Sequence, residues 1–213
     1  MTNNYNHIAG FYDILSRTIY GNAIINAQRD LIQFIKSGSS ILIAGGGTGW
    51  ILEELTKVHN EGLQIEYVEI SEKMINLSKK KNTGNNQVNF VCQPMEDYVP
   101  DKKFDYILTA FFFDNFKKEK ITTIFAKLNA ILKYNGQWLY ADFVYNETQG
   151  KLWQKLLLRT MYTFFRITCQ IEATDLTDMQ PFFHKYGYTA QFSSVHYGGF
   201  IHTGVYEKTI WIA

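Results

Sequence analysis

The sequence predicts an α/β fold, a seven-stranded and mostly parallel sheet with helices on both faces. Three observations predict it. Short apolar runs alternate with stretches of helical period along most of the chain. Hydrophobic residues make up 46% of the 213 residues and prolines number only 3, which suits one compact domain with a full core. The first apolar run stops at the glycine turn "ILIAGGGTGW", residues 41–50. That is the crossover at which open α/β sheets bind ligands.

The elements follow in order. Residues 5–36 are helical in pattern and interrupted at Gly21. This N-terminal helical cap, residues 1–36, either closes over a cleft or simply caps the sheet edge. The first strand is 40–44. A helix over 48–59 follows, with Ile51, Leu52, Leu55 and Val58 at helical spacing. The second strand is 63–70. Ser71 is the N-cap of the next helix, and Glu72 suits its first turn. The third and fourth strands are 87–92 and 104–112.

Ile121, Ile124, Phe125, Leu128, Ile131 and Leu132 then share one helix face, with Asn135-Gly136 as the stop. The fifth strand is 136–144. An added helix spans 147–169, and a shorter one 175–186. The last strands are 189–197 and 201–212, joined at Gly198-Gly199. The whole chain, 1–213, reads as one domain with an inserted segment at 146–172.

Composition excludes several classes. The formal net charge is +1, and no basic run could neutralise a phosphate backbone, so no nucleic-acid partner is expected. Two cysteines, Cys92 and Cys169, lie far apart without metal-type spacing to the five histidines. No metal site or disulfide framework is expected, and a reducing, cytoplasmic setting fits. Residues 1–10 lack the pattern of a signal peptide. The longest apolar region, 152–169, is broken by Lys155, Arg159 and Arg166, so no transmembrane segment is expected.

Glycine admits positive φ and lets a ligand approach the backbone closely. A dinucleotide fingerprint would need glycines at relative positions one, three and six. Counting from Gly45 puts Trp50 sixth, and counting from Gly47 puts Leu52 there. A phosphate-binding loop fails as well, because no Gly-Lys-Ser/Thr follows.

The pattern present is Gly45-x-Gly47-x-Gly49. It resembles motif I of the class I methyltransferases that use S-adenosylmethionine. The resemblance implies a Rossmann-like methyltransferase fold and S-adenosylmethionine as cofactor, with Ala44, Gly45, Gly46 and Gly47 around its amino-acid and ribose portion. Glu69, at the end of the second strand, has the chemistry to accept hydrogen bonds from both ribose hydroxyls. "VEISEKMINLSKK" resembles motif II, which implies Ile70 and Met74 against the adenine. "FVCQPMEDYVPDKKFDYILTA" resembles the third-strand loop and fourth strand. Gln93 then stands where the family usually has Asp, and Met95 lies near the adenine, with Glu96 as the alternative. Ile43 replaces an acidic residue the family often has, so the candidate partners for the amino-acid end are the carbonyls of Ala44 and Gly45 or Tyr12 of the N-terminal segment.

The implied activity is methyl transfer to a small molecule. A triple glycine also resembles the polyamine synthases, which use decarboxylated S-adenosylmethionine, although their acidic gate has no counterpart in "LTAFFFDNF". A non-catalytic binding protein of the same fold is the other alternative. Phe111 (beside the cofactor) and Phe112 (beside the substrate) are the expected aromatic walls, with at least one of Phe111, Phe112 and Phe113 in the core. Asp142 is placed to face the cleft. Asp114 and Asp142 each read either as a group that orients the substrate or acts as base, or as a cap of the following helix, the cap being the preferred reading for Asp114. No catalytic residue is assigned, and His184, His196 and His202 receive no role.

The insertion "KLWQKLLLRTMYTFFRITCQ" resembles the substrate-covering segment of small-molecule methyltransferases, including the quinone-biosynthesis type. It reads either as a lid over a hydrophobic or anionic acceptor, with Arg159 as a contact, or as a packed helix with a solvated stripe. The acceptor's identity and the oligomeric state are left open.

Overall fold

The computed structural model describes residues 5–6, 8–145 and 150–209. Its strands are β1 (Ser40–Ala44), β2 (Glu61–Glu69), β3 (Asn85–Cys92), β4 (Phe104–Ala110), β5 (Leu132–Phe143), β6 (Tyr188–His196) and β7 (Ile201–Lys208). They form one sheet in the order β3-β2-β1-β4-β5-β7-β6. The first five run parallel, and β7 lies antiparallel between β5 and β6. The helices are α1 (Tyr12–Tyr20), α2 (Ala23–Ile32), α3 (Trp50–Val58), α4 (Glu72–Ser78), α5 (Lys118–Ile131), α6 (Leu152–Cys169) and α7 (Gln180–Lys185). Among the described residues no helix is long and apolar enough to cross a membrane.

β1 explains why its sequence is a continuous apolar run. All five residues are buried. Ile41 and Ile43 pack with Leu31 of α2 and with Ile51 and Leu55 of α3. Leu42 and Ala44 point the other way, into Ile121, Phe125 and Leu128 of α5. Covering both faces removes the polar alternation, and each large apolar side chain so buried contributes about 1.5–3 kcal/mol. Strand order reverses beside β1, with β2 and β3 on one side and β4 on the other. The crevice this leaves lies beyond the carboxyl ends of β1 and β4.

Several boundaries differ from expectation for local reasons. Thr48 precedes the helix, because Gly49, at φ 84, caps α3 and the helix begins at Trp50. β4 stops at Ala110 rather than Phe112, since Phe111 takes φ 53. Asn135-Gly136 does not end α5. The helix stops at Ile131, and Asn135, at φ 58, lies within β5. It absorbs the register shift between the Phe104–Leu132 and Tyr106–Gln137 pairs. The expected 175–186 helix shrinks to α7, with Pro181 in its first turn, where proline is tolerated. The added helix begins at Leu152, and its expected start at 147 lies outside the described residues, as do residues 210–212 of the last strand.

Candidate active site

The crossover after β1, the end of β2 at Glu69, the loop after β3 and the end of β4 border one cleft. It encloses about 1210 Å³ of empty space, its open mouth included. Gly45, Gly46, Gly47, Glu69, Ile70, Met74, Gln93, Met95 and Phe111 all line it, as does Glu96. Ala44 is buried at the strand end and does not.

Glu69 is 5% exposed. Its Oε2 accepts from the Gly47 N–H at 3.0 Å and its Oε1 from the Ser71 N–H at 2.8 Å. Burial raises its pKa, while the N–H groups of Ser71, Gly47 and Ile70 pull the other way. Each carboxylate oxygen has a second lone pair for a donor arriving from the cleft. Ser71 caps α4 as expected, its Oγ accepting from the Met74 N–H at 3.3 Å.

The bare backbone of the turn has two separate causes. A Cβ on Gly46 would stand 2.1 Å from Cζ of Tyr67, whose hydroxyl donates to the Gly47 carbonyl at 3.0 Å. There the protein's own ring fills the space. Gly47 has φ 65, and a Cβ on it would meet only Sδ of Met74, at 4.0 Å. There the backbone faces open cleft.

The N-terminal segment is tied to this turn. Thr48 Oγ1 donates to Asp13 Oδ1 at 2.8 Å. Asn6 Oδ1 accepts from Ser71 Oγ at 2.7 Å and from the Lys73 N–H at 3.2 Å. Tyr5, Tyr12, Asp13 and Arg17 accordingly line the cleft.

A second cavity, with about 980 Å³ of empty space including its open mouth, adjoins the first. The two share Tyr5, Tyr12, Ser16, Ile24, Phe111 and Asn115. Its farther wall comes from Leu15 and Ile19 of α1, Phe143 of β5, and Leu157, Met161, Phe164 and Phe165 of α6. Asp114 borders it, and its Oδ1 accepts from Asn115 Nδ2 at 2.7 Å.

Here the two aspartates exchange their expected places. Asp142 lines neither cavity and is 2% exposed. Its Oδ2 accepts from the N–H groups of Phe113 at 3.0 Å and Asp114 at 3.3 Å, and its Oδ1 from that of Phe143 at 2.8 Å. Asp142 is therefore the cap that fixes the turn after β4, and Asp114 is the aspartate that borders a cavity. Burial pushes Asp114 up to about 7. Burial and the charge of Asp114 push Asp142 well above the usual carboxylate range, against its three N–H donors.

Two other candidates also move. Phe112 lies in the first cavity only, against Gly45, where an added Cβ would meet its Cδ2 at 2.5 Å. Arg159 is exposed and lines neither cavity. Phe113 is the core member of its triplet, with ring centroids 6.2 Å from both Phe125 and Trp138.

A family model described as a methyltransferase domain matches residues 41–136. That segment of the chain is similar to methyltransferase domains. Over 148 residues, 65% of this chain, it is 29% identical to the ubiquinone/menaquinone biosynthesis C-methyltransferase UbiE of Wigglesworthia glossinidia brevipalpis. Over 105 residues, 49% of this chain, it is 33% identical to malonyl-[acyl-carrier protein] O-methyltransferase 2 of Ilyobacter polytropus. The matches span 57% and 39% of those proteins' own lengths. The crystal structure of magnesium protoporphyrin IX methyltransferase (ChlM) from Synechocystis PCC 6803, with bound SAH, superposes with a TM-score of 0.67 at 16% identity. That match covers 96% of this chain and 97% of the other, so the two chains share one fold.

Residues 41–136 supply most of the first cavity's lining but little of the second's. Of the second cavity's walls, only Phe111, Asp114 and Asn115 fall within residues 41–136. Sequence reasoning missed Tyr5, Asn115 and the Thr48–Asp13 tie. Each is a polar or aromatic residue in a segment whose partner lies far away in the chain, so no local pattern marks it.

Proposed function

We propose that this protein transfers a methyl group from S-adenosylmethionine to a small-molecule acceptor. The observation that carries the reading is the pairing of an open main-chain surface at Gly47 with the buried carboxylate of Glu69 hydrogen-bonded to it. Together they offer a close backbone approach and an acceptor pair for a ribose diol. Gln93 offers an amide carbonyl to an adenine amino group. S-adenosylmethionine, when bound, supplies a methyl group on a sulfonium cation. The chain's part is to hold the donor, admit the acceptor from the adjoining cavity and keep water out. The N-terminal segment serves as the roof of both cavities, and α6 as a lid over the second.

Calorimetry tests the reading. S-adenosylmethionine and S-adenosylhomocysteine are both expected to bind, and Glu69→Ala is expected to weaken each by about 1.5–3 kcal/mol, the scale of hydrogen bonds to a charged group. Preference for decarboxylated S-adenosylmethionine would point to an aminopropyl transfer instead. Absence of binding to all three would leave only a non-catalytic use of the fold.

A further inference from the structure

We infer that the second cavity receives a neutral, flat, hydroxyl-bearing aromatic acceptor, and that Asp114 is the base that takes its hydroxyl proton. The inference rests on the methyltransferase reading above and narrows its acceptor class.

The walls choose the body of the acceptor. Phe111, Phe143, Phe164 and Phe165 present ring surfaces, and Leu157 and Met161 fill between them. Such a surface favours a planar apolar molecule. Asp114 is the one charged side chain among the described residues lining the cavity, and no Lys, Arg or His accompanies it there. An anionic acceptor would therefore bury a second negative charge beside a carboxylate without a counter-ion. An ammonium acceptor would pair with Asp114 but has no lone pair to give while it stays protonated. A hydroxyl on an aromatic ring meets both demands, being neutral on entry and acidic enough to yield its proton.

The backbone fixes the base. Asp142 holds the N–H groups of Phe113 and Asp114, and Asn115 donates to the Asp114 carboxylate. Tyr162 of α6 donates to the Asp114 backbone carbonyl at 3.2 Å. The titratable groups that face Asp114 are Asp142 and Tyr140 of β5, Tyr5, Tyr12 and Tyr20 of the N-terminal segment, and Tyr162. Burial holds every one of these phenols above its ordinary pKa, so they stay neutral as Asp114 titrates. An ionisation near neutrality suits a general base, which must be unprotonated at working pH and still attract a proton. The step balances. The hydroxyl proton passes to the Asp114 carboxylate, the oxygen lone pair forms the bond to the methyl carbon, and the broken C–S pair stays on sulfur as a neutral thioether.

The test uses the full chain saturated with S-adenosylhomocysteine and titrated with naphthol, naphthoate and naphthylmethylammonium. Naphthol is expected to bind roughly tenfold or more tightly than naphthoate, the scale of an unpaired like charge in a buried site. Asp114→Asn is expected to close that gap by admitting naphthoate. In protein labelled with carbon-13 at aspartate carboxyls, one signal titrating near neutrality is expected to vanish in Asp114→Asn while the melting transition persists. Asp114→Ala gives a second reading of the same loss. Equal or tighter binding of naphthoate, tightest binding of the ammonium probe, or an Asp114 carboxyl titrating in the ordinary range would each overturn the inference alone. Failure of S-adenosylhomocysteine itself to bind would overturn the cofactor reading and this one with it.

Discussion

Gly46 and Gly47 stand side by side with different constraints, and substitution separates them. A methyl group at Gly46 collides with the Tyr67 ring. Gly46→Ala is therefore expected to cost about 1–3 kcal/mol of stability as overpacking, read as a lowered melting temperature. Gly47→Val meets no neighbour closer than Met74, while the φ of 65 puts a β-branched residue under local backbone strain of about 1–3 kcal/mol. It is expected to leave the core packing in place and abolish S-adenosylmethionine binding, with calorimetry and circular dichroism as the paired readouts. Retained binding would show that the ligand does not touch that backbone. The sequence announces both glycines alike, because a missing side chain looks the same whether protein or ligand occupies its place. Phe111 is the converse case. Its φ of 53 costs a non-glycine residue on the order of 1–2 kcal/mol, yet a run of phenylalanines reads only as more strand. Glu69 was legible because an acidic residue closing an apolar strand is conspicuous, and its burial now sets a pH dependence. Cofactor affinity is expected to fall on acidification from above the usual glutamate range, since the ionised form is the acceptor and burial raises its pKa.

At the level of elements, β1 matches its expected bounds residue for residue, whereas α5 and β5 trade four residues at their junction. Helical periodicity carries no signal for a strand that starts early and then bulges, and Asn135 fits a left-handed position in either context. The N-terminal helices were legible as helices, and beside the core packing of Tyr20, Ala27, Leu31 and Ile32 the side-chain bond from Thr48 to Asp13 ties them to the glycine turn. Asp13→Ala removes the Thr48 tie and is expected to weaken S-adenosylmethionine binding up to about tenfold, or about 1.4 kcal/mol, with little change in melting temperature. An unaltered dissociation constant would mean that the roof keeps its position without that bond. The stripe on α6 behaves differently. Arg159 is exposed, so Arg159→Ala is expected to stay within about 0.5 kcal/mol of the parent in stability and to leave cofactor binding unchanged.

For the molecule as a whole, the Asp114–Asp142 pair ties stability to pH. Both carboxyls are held above their ordinary pKa, Asp114 at about 7, so the folded state keeps protons that the unfolded chain loses near the ordinary carboxylate range. The stability this gives is complete at acidic pH and is lost as pH rises through neutrality. Asp114→Asn should therefore melt at a higher temperature than the parent at mildly alkaline pH, with the difference shrinking towards the acid range. A constant difference across pH would place the titrating group elsewhere. The sheet and the first cavity were readable in outline because they follow from contiguous motifs. The second cavity was not, because its walls unite Tyr5, Phe111, Phe143 and Phe165, and only folding brings those positions together.

The shared wall has a practical corollary for inhibitor chemistry. Because Tyr5, Tyr12, Ser16, Ile24, Phe111 and Asn115 border both compartments, the proposed function predicts that an adenosine headgroup and an aromatic tail joined by a short tether occupy them at once. With the second contact made intramolecular, such a bisubstrate compound stands to gain roughly 10²–10⁴ in avidity over either half, provided its linker threads past the Phe111 ring.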